Sequence, residues 1–494
     1  MLMPRILVRR KNKQYLPELY KGTTSLRLFL FLSIGVLMVN TIGIAPLWML
    51  ICGCVAFLLL VVCRILRSGN VWWRVGFVLL AVSFGGVWSV REKPLASADG
   101  VKSFVVVAAQ KTSGGHLAYD ARLSDALIRL NTDSSLKLNV GESVEADIRV
   151  YWPKYRGGRF NYPLYLYRKG YSGVAWLDSA KIVSRRQDSD MSVAMWRQRC
   201  VQRFISCGVS PENAGLVSAV TIGEKSYIDN TVTEDFRNAG VAHVLVVSGL
   251  HVGFLFLFIN FLLRCAKRRW IVALAGMVVM WGYAFVVGLT APVCRATLMF
   301  NLMLLCDLAE ENYNSTNALS LSAVVLSVVN PLIIYDVGFQ LSFLAVFSII
   351  MFYPAIPSLG KKYWCIDKLW NAARLSLSAQ MLLFPIIIYY FGQMPIYFLF
   401  ANIAITLLSP IVFFAGMLTL LPLVGKLTGG ILDFMLDFMR SVVAWVADLP
   451  YSTISISLSL AEMLFLLFLI LMIGNILRSP DKSLNDFSRN KFGG

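Results

Sequence analysis

Long apolar runs alternate along this chain with one extended polar interlude. Runs at 27 to 44, 45 to 63 and 71 to 90 each approach the length that a hydrocarbon core of about 30 Å demands of a helix, and three spans are predicted there. From Arg91 to Asp190 the period changes. Short alternating runs, Ser103 to Ala109, Leu117 to Leu123, Val144 to Trp152 and Gly173 to Ile182, are separated by Gly, Ser, Asn and Asp. Alternation of this kind predicts strands, so the segment reads as a small β-rich domain whose span suits an OB-like barrel, with a sandwich equally compatible with the spacing. Met191 to Ser210 returns to helical spacing, with Val193, Trp196, Cys200, Phe204 and Cys207 recurring as on an amphipathic helix lying on a membrane surface. Ser210-Pro211-Glu212 opens a helix ending near Gly223, and Thr231 to Asn238 forms a short one. Apolar runs then follow near 241–263, 270–289, 291–307, 316–335, 338–357, 372–391, 396–424, 430–448 and 455–477.

The first of these later runs is interrupted. Asn238 to Phe258 reads NAGVAHVLVVSGLHVGFLFLF, so His243, Ser248 and His251 sit inside an otherwise apolar segment beside Gly240, Gly249 and Gly253. Unsatisfied polar groups in hydrocarbon cost several kcal/mol each, so such a break must face protein or a water-filled path. It reads as the lining of a conduit. A helix kink with Ser248 bonded back to its own helix and a glycine-mediated packing seam are the competing readings.

Composition agrees with the pattern: 57% hydrophobic and 15% charged residues over 494 positions exclude an ordinary soluble protein and indicate a polytopic membrane protein of about 10–12 transmembrane helices with an inserted all-β domain. Lys plus Arg number 46 against 28 Asp plus Glu, and their placement gives orientation. Arg5, Arg9, Arg10, Lys11, Lys13 and Lys21 precede the first run, and Arg264, Lys267, Arg268 and Arg269, then Lys361, Lys362 and Lys368, then Arg478, Lys482, Arg489 and Lys491 fall on the same side if each run spans once. Both termini are therefore expected in the cytoplasm and the β-rich domain outside. The runs at 396–424 and 430–448 could both be re-entrant without changing that parity. The expected organisation is 1–90 with three spans, 91–190 the β domain, 191–238 interfacial helices, 239–478 the main membrane domain and 479–494 a cytoplasmic tail.

Nine cysteines sit mostly in apolar runs, and three histidines occur, with no CxxC or HExxH. No disulfide framework, cofactor or protein-built metal site is expected. Arg149 to Lys169 reads RVYWPKYRGGRFNYPLYLYRK, six cations without an acid and interleaved with rings. Arg149, Tyr151, Trp152, Lys154, Tyr155, Arg156 and Arg159 could track phosphates and stack bases of a single strand, or sit at lipid headgroups.

Several motifs resemble the ComEC family of competence DNA-uptake channels. AGVAHVLVVSGLHVG at 239–253 is similar to that family's signature, and Thr221-Ile-Gly-Glu-Lys, Pro292-Val-Cys-Arg-Ala296, Asn330-Pro331, DVGFQLSFLAV at 336–346, Ser378-Ala-Gln380 with Pro385, Phe391-Gly392, and Asn402 with Pro410 follow in the family's order. GGRFNYPLYLYRKG at 157–170 also fits, with Asn161 where Asp is usual. The resemblance implies a channel importing single-stranded DNA across the bacterial cytoplasmic membrane during natural transformation, lined by His243, Ser248, Gly249, His251, Arg295, Asp336, Gln340, Ser342, Gln380 and Asn402. Arg295 is the expected phosphate contact, or else the ion-pair partner of Asp336; for Gln340, Gln380 and Asn402 interhelical hydrogen bonding competes with a lining role.

Many members of that family continue into a metallo-β-lactamase-like domain; this chain stops about 17 residues after its last run and has no HxHxDH pattern, so a channel without nuclease chemistry is expected. No GxxxxGK[ST] loop occurs, so energy would come from a cytoplasmic helicase or motor, or from the gradient. A surface or periplasmic DNA-binding protein, membrane lipid and further copies of the chain are the other expected partners. Two alternatives come from other classes: a transporter of polysaccharide or lipid-linked sugar, and an intramembrane hydrolase with Ser248 as nucleophile.

Overall fold

The computed structural model describes residues 24–65, 70–90, 100–111, 117–124, 126–133, 136, 138–139, 141–155, 161–178, 181–187, 193–262, 268–358 and 364–478. The chain divides into two units, Met1–Val90 with Asn312–Pro331, and Arg91–Glu311 with Leu332–Gly494.

The first unit holds α1 (Thr24–Leu37), α2 (Pro46–Ile65), α3 (Asn70–Trp88) and, from far along the chain, α11 (Ser315–Val329). Glycine lets α1 and α3 approach: a Cβ on Gly35 would lie 1.9 Å from the Val82 carbonyl oxygen, and one on Gly85 2.3 Å from that of Leu32. The Trp88 indole donates to the Val328 carbonyl at 2.7 Å, tying α3 to α11. Asn330-Pro331 ends α11, because the residue before proline is driven out of the helical region.

The second unit begins with a seven-stranded sheet of β1 (Val101–Lys111), β2 (Leu117–Leu123), β3 (Ala126–Thr132), β4 (Glu142–Asp147), β5 (Val150–Tyr151), β6 (Tyr171–Leu177) and β7 (Ile182–Gln187), in the order β5-β6-β3-β2-β1-β4-β7. Among the described residues only β3 and β6 pair in parallel. Alternate residues fill its core, including Phe104, Val106, Ile128, Leu130, Val144 and Ala146. The run expected from Val144 to Trp152 is split at Ile148-Arg149, its first part pairing with β1 and its last with β6. Between β5 and β6 lies α4 (Tyr162–Lys169), not anticipated from the cation–aromatic pattern. Asn161 caps it by accepting the Leu164 N–H at 3.0 Å, Pro163 occupies its first turn, and Gly170 at φ 85° ends it.

The remaining helices are α5 (Val193–Ser206), α6 (Pro211–Ile222), α7 (Asn230–Asn238), α8 (Gly249–Leu262), α9 (Arg269–Val287), α10 (Ala291–Leu308), α12 (Val337–Phe352), α13 (Trp364–Phe391), α14 (Phe398–Thr419), α15 (Gly425–Ala447) and α16 (Leu460–Arg478). Five segments among the described residues are long and apolar enough to cross a membrane: Thr24–Ile42, α9, α10, most of α13, and α14. Six shorter apolar helices accompany them. Outward-facing side chains such as Leu423, Leu427, Phe434 and Trp445 are 97%, 78%, 73% and 64% exposed, more apolar surface than water tolerates. This is a membrane protein.

The run at 430–448 falls in α15, which at 23 residues is long enough to span but, with Lys426, Asp433, Asp437 and Arg440 in it, is not among the helices apolar enough to do so. It carries Asp433, Asp437 and Arg440 toward α6, where Asn213 donates to both carboxylates at 2.8 Å and accepts from Arg440 at 3.1 Å. A two-stranded ribbon of β8 (Gln393–Pro395) and β9 (Thr453–Ser455) closes the ends of α13 and α15.

Candidate functional site

The interrupted run resolves into a turn and a capped helix start. Past α7 the chain turns at Gly240 (φ 79°), where a Cβ would lie 2.6 Å from Phe398 Cβ, so a side chain is excluded twice over. A 3₁₀ turn over Ala242–Leu245 follows, then extended residues, and α8 begins at Gly249.

Ser248 and His251 cap that helix reciprocally. The Ser248 Oγ accepts the Leu250 N–H at 3.2 Å, and His251 Nδ1 accepts the Ser248 backbone N–H at 3.0 Å. The return bond is that of a capping box, with histidine at N3 where Glu or Gln is usual, while the Ser248 hydroxyl takes the N2 rather than the N3 N–H. Because Nδ1 accepts, the neutral ring carries its proton on Nε2. His251 is 1% exposed, its ring packs against Phe254 and Phe413, and Nε2 has no hydrogen-bond partner. The Ser248 Oγ is 3.2 Å from Nδ1, but that nitrogen is already engaged by backbone and no carboxylate orients the ring. These contacts suit a cap better than a nucleophile and base. His243 lies on the turn and is exposed.

Gly249 makes room for Arg295. A Cβ there would sit 2.8 Å from an Arg295 terminal nitrogen and 3.1 Å from Ala296 Cβ. Arg295, on α10 and 7% exposed, donates from Nε to Ser342 Oγ at 3.0 Å, reaches Met299 Sδ at 4.0 Å and lies 5.9 Å from the Phe343 ring centroid. Segments around 249, 295 and 342, far apart in sequence, therefore meet at one buried guanidinium.

The other candidates are dispersed. Asp336 caps α12 by accepting the Phe339 N–H at 2.9 Å, and its salt bridge is with Lys169. Gln340 donates to the Ile334 carbonyl at 2.8 Å and accepts from the Tyr390 hydroxyl at 3.0 Å. Asn402 on α14 donates to Ser376 on α13 at 3.0 Å, and Gln380 is half-buried on α13.

On the β-rich domain Arg149 and Lys154 are exposed, Tyr151 and Tyr155 are 42% and 53% exposed, and Trp152 packs instead against Leu166, Tyr171 and Val174. Arg156 and Arg159 lie outside the described residues. Trp176 on β6, 45% exposed, joins the open rings; the signal for it was a lone aromatic at the polar phase of a buried strand. In the same domain Asp120 accepts from Arg129 at 2.9 Å and from Tyr171 at 2.8 Å. Burial and the adjacent Asp120 carboxylate push the Tyr171 phenol above its ordinary pKa. Among the described residues no group of His, Cys, Asp or Glu could hold a metal ion.

Residues 220–480, more than half of the chain, match the family described as Competence protein. The chain belongs to this competence family, the ComEC/Rec2 group. ComE operon protein 3 of Bacillus subtilis (strain 168) is 28% identical over 320 residues, 63% of this chain and 40% of that protein. Competence protein ComA of Neisseria gonorrhoeae is 26% identical over 306 residues, 56% of this chain and 41% of the relative. Recombination protein 2 of Haemophilus influenzae is 24% identical over 374 residues, 70% and 45%. The chain thus matches under half the length of each of these three relatives. No solved structure matches. The competence region takes in Ser248, Arg295 and Ser342, so the convergence at Arg295 lies within the family's own segment.

Proposed function

We propose that the chain forms the path by which single-stranded DNA crosses the bacterial cytoplasmic membrane, with both termini cytoplasmic and the β-rich domain outside. The observation that carries this is the meeting of the Gly249, Arg295 and Ser342 segments at one buried cation. A strand with one charge per nucleotide needs a cation or hydrogen-bond donors in any low-dielectric section of its route, and a guanidinium offers both. The five long apolar helices and six shorter ones support ten to twelve membrane passes. The parallel β3–β6 pair, with one run bridging β1 to β6, supports an OB-like domain. Exposed Tyr151, Tyr155 and Trp176 beside Arg149 and Lys154 support single-strand binding there. The chemistry is transport, with the motor supplied by a cytoplasmic partner.

The test is entry of labelled DNA into the cytoplasm of a deletion strain complemented with wild type, Arg295→Lys or Arg295→Met, with insertion matched by immunoblot. Met is expected to leave DNA sensitive to external nuclease, and Lys to retain part of the activity because it keeps charge but loses the fork. Normal entry with Met would remove Arg295 from the path.

A further inference from the structure

Two cations of the Arg149–Lys169 run have partners on the helical part of the same unit. Lys169 Nζ forms a salt bridge with Asp336 Oδ2, and the Arg168 guanidinium carbon lies 3.6 Å from the centroid of the Tyr335 ring. Both contacts join the β-rich domain's helix to the start of α12. They depend on α4 being a helix: its cap at Asn161 and its end at Gly170 place Arg168 and Lys169 together in the last turn, where the helix dipole also favours cations.

The receiving side is built rather than incidental. Asp336 uses its other oxygen to cap α12 through the Phe339 N–H, so one carboxylate holds the incoming lysine and the first turn of the helix. Tyr390 of α13 donates to Gln340, and Gln340 donates to the carbonyl of Ile334, the residue before Tyr335. Arg168 enters this group with its Nε buried and unpartnered; burial lowers its pKa, and Tyr335 and Tyr390 oppose that shift. Ser342, the partner of Arg295, is six residues beyond Asp336, roughly 9 Å along α12.

We propose that Arg168 and Lys169 are positioning residues, seating the β-rich domain on Tyr335 and Asp336 so that a strand held by the domain is presented to the α12 face leading to Arg295. The seat rests on the DNA-path reading for its purpose, but not for its existence. DVGFQ and the basic end of the Gly-Gly-Arg-Phe segment thereby acquire a joint role: each is the other's partner.

The seat is tested in the full chain in its membrane. Lys169→Cys with Asp336→Cys, treated with a short thiol-specific cross-linker, should yield the linked peptide by mass spectrometry, with neither single variant doing so. In the same cells Lys169→Glu and Asp336→Lys should each lower nuclease-protected DNA roughly tenfold, and the double charge swap should restore most of it, as coupled partners do. DNA binding by the detergent-solubilised chain should stay within about twofold throughout, because the exposed rings and cations are untouched. Arg168→Lys should retain most of the uptake and Arg168→Gln should not, since only a cation is attracted to the ring face. Absence of the linked peptide overturns the proposal. So does normal uptake in both single charge variants, or an unrescued Lys169→Glu that has also lost DNA binding, which would make Lys169 a DNA contact. If wild type protects no more DNA than the deletion strain while the linked peptide forms, the DNA-path reading fails and the seat stands without that purpose.

Discussion

At the residue scale, Ser248 and His251 show how a polar pair in an apolar run can be explained without chemistry. His251 Nδ1 replaces the carboxylate of an ordinary capping box, and a replacement that still accepts the Ser248 N–H should be tolerated. His251→Gln is therefore expected to keep thermal stability in detergent and DNA entry near wild type. His251→Leu should lose about 1 kcal/mol, the usual worth of a cap. A hydrolytic role would reverse this pattern, since glutamine cannot act as a base, so loss of function in a stable His251→Gln would count against the cap. Gly249 carries a sharper expectation. A Cβ would press on the Arg295 terminal nitrogen at 2.8 Å and on Ala296 at 3.1 Å, and the Arg295 Nε is held by Ser342. Gly249→Val should insert yet fail in DNA entry, and Gly249→Ala should be intermediate. A Gly249→Val chain with wild-type entry would show that the fork's position does not matter.

At the element scale, α15 and α6 share one apolar cluster and are joined by polar groups as well. Asn213 has no exposed surface, donates to Asp433 and Asp437 and accepts from Arg440. Removing it takes hydrogen bonds from two carboxylates and a guanidinium that water still reaches, which costs about 1 kcal/mol. Asn213→Leu is expected to lower the detergent melting temperature and expose α15 to proteolysis, whereas Ser441→Ala, whose hydroxyl bonds only its own helix at Asp437, should do neither. Equal melting of both variants would remove the seam from the stability of this layer. Apolar runs made most helices legible, because a helix in lipid must be written in consecutive apolar residues. What stayed hidden depends on distant partners. The length of 430–448 suggests a span, but its charges find their partners in Ser210, Glu212 and Asn213, more than 200 residues earlier. The ribbon of β8 and β9 uses three residues a side, too few for a periodic signal, and the association of α11 with α1–α3 leaves no trace in local pattern. Asn161, Pro163 and Gly170 are the start and stop signals of α4, and they flank basic and aromatic residues whose pattern equally fits a ligand-binding loop.

At the scale of the whole molecule, the excess of 46 cations over 28 acids has several uses that salt can separate. Cations that orient helices or, like Lys169 and Arg129, are tied to carboxylates contribute little to strand affinity. Cations that meet phosphate release counterions, so the logarithm of affinity falls with the logarithm of salt concentration by about 0.7 per phosphate for a single strand. Replacing Arg149 and Lys154 together with Gln should therefore flatten that slope by roughly 1.4 in the full chain binding oligothymidylate, if each meets one phosphate. Tyr151→Ala with Trp176→Ala should instead lower affinity at every salt concentration with the slope unchanged, because stacking releases no ions and is worth about 1–3 kcal/mol per base. A flattened slope from the ring variants, or none from the cation variants, would move the phosphate contacts off this face. Binding that ignores salt altogether and follows an oligosaccharide would instead place the β-rich domain in sugar recognition, and the path at Arg295 would then have to pass a different polymer.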